Sequence, residues 1–176
     1  MVSRILSMNE KAKAPILMRQ VSTELSLQVI RFFRSRTQTI FVEVTPHHLV
    51  LSDKDAEELG SLGKISPPLR SKSNVSALWS AILNGEVSLV SSDHSPHLLS
   101  EKRTDSIWDA SAGFPGVETL VPLMLDQVAK GRLSVHQLTS LMSTNPAKIF
   151  GLYPRKGVIK AGASADLTVV DLKKYF

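Results

Sequence analysis

The chain has no cysteine, so neither a disulfide nor a thiolate metal ligand is open to it, and a reducing, cytoplasmic setting is expected. Aromatic residues make up only 6%, too few to interleave with a basic nucleic-acid surface. No apolar run approaches the roughly 20 residues of a membrane span. The opening "MVSRILSMNEKAKAP" has neither an apolar h-region nor a small-residue cleavage site, so no secretory signal is read there. Histidine is scarce as well. There are five, and four of them fall in "EVTPHHL" (43–49) and "VSSDHSPH" (90–97).

What is present suits one core-forming domain: 176 residues, 43% of them hydrophobic. The net charge of +5 invites a nucleic-acid reading, and Arg31, Arg34 and Arg36 do flank Phe32 and Phe33. Lysine and arginine are otherwise scattered, so solvated helix faces are expected instead, with no nucleic-acid partner.

Helical spacing is read over 2–13, 22–36, 51–60, 74–85, 117–131, 134–143 and 145–152. Ser22 or Thr23 serves as an N-cap, and Gly60 and Gly85 as stops. Residues 16–18 form a short apolar run, and β-branched "TIFVEV" (39–44) and "VSLVSS" (87–92) read as strands. "TPHHL" reads as a turn-like break, 63–71 as a proline-stiffened loop and 93–116 as a long loop. The glycine-punctuated 157–172 reads as β. Strands alternating with helices over 14–93 predict parallel βα units, whose chemistry collects at the strand C-termini. Three strand–helix units cannot close an eight-stranded barrel, so the chain reads as a segment of one.

Both histidine clusters follow β runs. In "TPHH" a neutral imidazole suits a metal, although these residues alone favour two loop histidines that bind nothing. In "SDHSPH" an aspartate at a strand tip suits metal ligation and general-base work; the alternative is Asp93 as an Asx-turn residue. His94 is then either a support residue or plain loop. "GFPG" (113–116) either admits a ligand close to the backbone or makes an ordinary turn. His136 reads as a surface histidine, Met124 and Met142 as core, and Trp79 and Trp108 carry no assignable role.

In order, "EVTPHHL", "GKISPPLRS", "VSSDHSPH", "GFPGVETLVPLML", "STNPAKIFGL" and "GVIKAGASADLTVVDL" closely resemble dihydroorotase of the long bacterial and archaeal type, a zinc-dependent cyclic amidohydrolase. The resemblance runs from about residue 2 to 172 and implies an α/β chain: the C-terminal part of a TIM-like (β/α)8 amidohydrolase barrel with strands of an appended β-sandwich. Residues 1–152 would be the partial barrel and 153–176 the sandwich segment. It implies one or two zinc ions in the full family site, with His47 and Asp93 as ligands and Asp93 as catalytic proton shuttle. Ser66, His97, Ala112 and Gly113 would contact a cyclic ureide such as dihydroorotate, which opens to carbamoyl-aspartate in pyrimidine biosynthesis.

The departures from the family pattern are specific. Its first-strand His-x-His pair and bridging carboxylate are missing from this chain. Gln20 stands where the family usually has a further histidine ligand, and an amide oxygen is a poor zinc donor beside imidazole. Ser66 replaces the usual asparagine, which looks more like a dihydropyrimidinase. Zinc binding by this chain alone is therefore expected to be weak or absent, and ring opening negligible. An oligomer is expected, and the chain reads either as a truncated product or as one piece of a split enzyme whose partner is a missing N-terminal half. The alternatives are a silent homologue serving as a binding or scaffolding subunit, for which the resemblance implies aspartate transcarbamoylase as partner, or an allantoinase/dihydropyrimidinase-type relative.

Overall fold

The computed structural model describes residues 1–36 and 39–172. Residues 37–38 of the expected partial barrel and 173–176 of the expected sandwich segment lie outside the described residues. Three parallel strands form the sheet, in the order β1 (Ile16–Met18), β2 (Ile40–Val44), β3 (Leu89–Val90). Ile16 pairs with Ile40 and Met18 with Val42, while Val44 pairs with Val90.

Helices fill the crossovers. α1 (Val2–Ala12) precedes β1, and α2 (Glu24–Arg34) returns the chain to β2. Thr23 caps α2 by accepting a hydrogen bond from the Ser26 N–H at 3.2 Å. Thr23→Ala should therefore cost about 1 kcal/mol, read from urea unfolding. Between β2 and β3 run α3 (Pro46–Val50), α4 (Asp53–Leu59) and α5 (Lys72–Leu83). α3 corrects the expected turn at "TPHHL": proline at a first helical position lacks only an N–H that would have no intrahelical partner there.

Alternation along β2 divides the sheet. Ile40, Val42 and Val44 are buried in the core with Leu27, Ile30 and Phe33 of α2 and Leu78, Trp79 and Ile82 of α5. Trp79 gains a role: its indole N–H donates to the Leu49 carbonyl at 2.8 Å, with the Arg132 guanidinium over its ring. The arginine group is structural. Arg31 pairs with Glu86, Arg34 donates to the carbonyls of Ile40 and Glu86, and Arg36 meets Glu10.

Beyond β3 the long loop includes a short helix, α6 (Leu99–Lys102), and a parallel bridge between His94 and Phe114. α7 (Gly116–Ala129) contains Pro122. α8 (Val135–Thr139), a π turn (Ser140–Thr144) and α9 (Asn145–Ile149) follow without a break. No helix among the described residues is long and apolar enough to cross a membrane.

The C-terminal stretch departs from expectation. Residues 157–172 carry the alternating apolar pattern of a strand, yet form turns and irregular chain, with Ile159 and Val169 almost fully exposed. A strand exists only by bonding a neighbour, and no described segment is paired with this one.

Candidate functional site

The strand ends bring the candidates together. Val44 and Val90 are partners in the ladder, so His47 and Asp93, each three residues further on, leave adjacent strands at the same level. Gln20 lies two residues past the end of β1. Gln20 and Asp93 both adopt left-handed backbone, with φ of 53° and 49°. Such φ values in residues other than glycine are uncommon, and they gather at functional sites.

The inner face of the sheet opens on a cleft of about 630 Å³ whose polar lining includes Arg19, Glu43, Ser91 and Asp93. Met142, expected in the core, borders this cleft. Arg19 and Glu43 were not singled out from the sequence. Glu43 is 4% exposed and meets the Arg19 guanidinium at 3.4 Å, and the same guanidinium lies 3.8 Å from an Asp93 carboxylate oxygen. The available signal was a charged residue inside the apolar run "TIFVEV", since a buried carboxylate requires a cation.

The two β2 histidines are buried and interlocked. His48 donates from Nε2 to the Pro67 carbonyl at 3.1 Å, so its Nδ1 must accept from the Thr45 hydroxyl at 2.7 Å. That hydroxyl has a single proton, and its oxygen therefore accepts from His47 Nε2, also at 2.7 Å. Burial and the neighbouring His48 push His47 down to about 3, and burial lowers His48 as well. Both rings stay neutral near pH 7.

The loop residues form a second group. His97 Nε2 lies 3.3 Å from the Ala112 carbonyl oxygen, and Gly113 N–H donates to the Lys64 carbonyl at 3.1 Å, two residues before Ser66. Ser66 is exposed. Phe114 links the groups, standing edge-on to His47 at 5.5 Å. His94 proves structural, its Nδ1 accepting from the Val117 N–H at the start of α7. The "GFPG" glycines serve a close approach of backbone to backbone. They let the chain pass within contact of Ser92 and Ser95.

These residues do not fit a zinc ion by themselves. A catalytic zinc normally takes three protein ligands. Among the described residues no three histidine, aspartate or glutamate side chains gather as a metal-holding group. Both nitrogens of His48 are engaged, His47 has only Nδ1 free of its hydrogen bond to Thr45, and Asp93 faces Arg19. The expected His47–Asp93 ligand pair is thus brought to one rim without forming a metal site.

Parallel strands joined by crossover helices, with polar residues collected at the strand ends, are the architecture of part of a (β/α) barrel. The comparisons agree. The model of the amidohydrolase family matches residues 36–176, and the chain belongs to that family. It is 37% identical to a dihydroorotase of Acetivibrio thermocellus over 177 positions, covering all of this chain and 41% of that one. Against a dihydroorotase of Methanosarcina acetivorans it is 51% identical over 130 positions, covering 73% of this chain and 28% of the other. Among solved structures, the L-hydantoinase (dihydropyrimidinase) of Arthrobacter aurescens superposes with a TM-score of 0.88 at 34% identity, covering 93% of this chain and 37% of that one. The chain thus spans about two-fifths of the length of its dihydroorotase relative from Acetivibrio.

Proposed function

We propose that this chain carries part of the active site of a dihydroorotase-like cyclic amidohydrolase. The substrate is a cyclic ureide such as dihydroorotate, opened to carbamoyl-aspartate in cytoplasmic pyrimidine biosynthesis. The observation that supports this best is the rim itself: Asp93, on left-handed backbone at the end of β3, level with His47 at the end of β2. Ring opening adds water across the amide. Oxygen bonds to the carbonyl carbon, the C–N bond breaks and the nitrogen leaves with a proton. A carboxylate at the mouth serves both proton transfers, taking one from the attacking water and delivering one to the departing nitrogen. We assign that role to Asp93, with His97 and the backbone of Ala112 and Gly113 holding the ureide and Ser66 at its edge.

Zinc belongs to the proposal only with ligands from outside this chain, because Gln20 and the paired Asp93 leave too few here. The test is elemental analysis and a ring-opening assay on the purified chain, alone and co-expressed with the N-terminal barrel portion of a dihydroorotase. We expect stoichiometric zinc and turnover only in the co-expressed sample. Robust zinc-dependent turnover by the chain alone would refute the incomplete site, and a zinc-loaded complex opening no cyclic ureide would refute the hydrolase. The second reading, a silent subunit docked to a partner such as aspartate transcarbamoylase, is favoured by Gln20 and by the Arg19 cation beside Asp93. It predicts an inert complex that gains turnover with Gln20→His. Similarity to an L-hydantoinase of Paenarthrobacter aurescens, 35% identical over 174 positions, makes hydantoins the substrates to assay beside dihydroorotate.

A further inference from the structure

We infer that Lys102 is a positioning residue: its ammonium, bound by the carbonyl oxygens of Lys64, Ser111 and Gly113, fixes the loop presenting His97, Ala112 and Gly113 against the loop presenting Ser66. The inference rests on the reading that those four residues face the ligand. Its physical basis does not.

Lys102 ends α6 and is only 7% exposed. A buried ammonium is costly unless each of its three protons finds an acceptor. Here each does: Lys64 oxygen at 2.7 Å, and Ser111 and Gly113 oxygens at 3.0 Å each. The face of Phe114 adds a cation–π contact at 5.4 Å. Burial, and secondarily the charge of Lys64, lower the pKa of this ammonium, while hydrogen bonds to three carbonyls favour its charged form.

The acceptors come from two separate loops, which makes the contact a clamp. The Lys64 carbonyl also accepts from the Gly113 N–H, so both of its lone pairs are used to hold one loop on the other. Ser111 N–H donates to the Glu101 carbonyl, and Glu101 accepts from the Leu98 N–H, which ties α6 into the same knot. Phe114, beneath the ammonium, is the ring that meets His47. One cation therefore sets the ligand loop and the contact that joins it to the β2 histidines.

Amide hydrogen exchange on the chain, read residue by residue, tests this. Lys102→Met keeps length and volume but donates nothing. It should accelerate exchange at Gly113 and Ser111 by about tenfold or more while leaving Val42 and Val44 in β2 within about twofold. Lys102→Arg, which restores a cation with donors, should recover most of that protection; a purely space-filling role would show neither change. Unaltered exchange at Gly113, or equal acceleration in β2, would overturn the inference. Should Lys102→Met fail to fold, the wild-type chain decides. The Lys102 ammonium protons should exchange at least about tenfold more slowly than those of exposed Lys130, and equal rates would overturn the clamp. Dihydroorotate titrated into the complex with the N-terminal barrel portion separates the two claims. Unmoved His97 and Ala112 signals with a protected Gly113 would count against the substrate reading and leave the clamp standing.

Discussion

Gly116→Ala should destabilise the chain by about 3 kcal/mol, near the top of the range for overpacking, and Gly113→Ala by a similar amount. The reason is backbone meeting backbone. A Cβ on Gly116 would lie 2.5 Å from the Ser92 carbonyl oxygen, and one on Gly113 would lie 2.5 Å from both the carbonyl and the hydroxyl oxygen of Ser95. A flexible side chain could swing away, but these carbonyls belong to the segment that continues β3 and carries Asp93. Relief requires the two segments to part, breaking the Ser95 N–H to Phe114 carbonyl bond of 2.9 Å. Urea unfolding of the two variants checks the magnitude. Gly131→Ala is the control for space, because nothing lies within 4 Å of its added Cβ, although its φ of 70° still charges the alanine some backbone strain. A Gly116→Ala no less stable than Gly131→Ala would show that the close approach carries no energy.

Acid should weaken the fold well before its carboxylates titrate. His47 is pushed from 6.5 down to about 3 by burial and by its neighbour His48. As pH falls below 6.5, the unfolded chain takes up a proton that the folded chain refuses, so stability declines steadily down to about pH 3 and then levels off. At pH 5 the loss from His47 amounts to about 2 kcal/mol, at 1.36 kcal/mol per pH unit over the interval between the ordinary value and that pH. His48, lowered in the same sense, adds to it. His47→Gln keeps a donor for the Thr45 hydroxyl and removes the titration, so it should be about 2 kcal/mol less sensitive to a shift from pH 7.5 to 5. Parallel pH dependence in the two proteins would contradict the neutral, buried assignment of His47.

Much of the scaffold was legible because the signals were local. "TIFVEV" has the β-branched run of a strand, Thr23 the chemistry of a cap, and the apolar spacing of 117–131 the period of a helix, and each forms as read. The alternation at 157–172 was just as clear and forms no strand, because hydrogen bonding to a neighbour is not a property of the segment. At the site, the placement of His47 and Asp93 past strand ends followed from pattern. The Arg19 contacts to Glu43 and Asp93, the shared hydroxyl of Thr45 and the carbonyl cage around Lys102 did not. Lys102 in "LLSEKR" looks like any solvated lysine.

The amino-acid order alone determined the period of the longer helices and of β2, the parallel βα character, the lack of thiol chemistry and the family to which the chain belongs. Only the tertiary structure decided which charges meet. Arg19 and Asp93 stand 74 positions apart and Lys102 and Lys64 38 apart, and no local rule couples residues at such range. Their pairing is settled by burial, which makes an uncompensated charge or an unbonded proton donor too costly to leave alone.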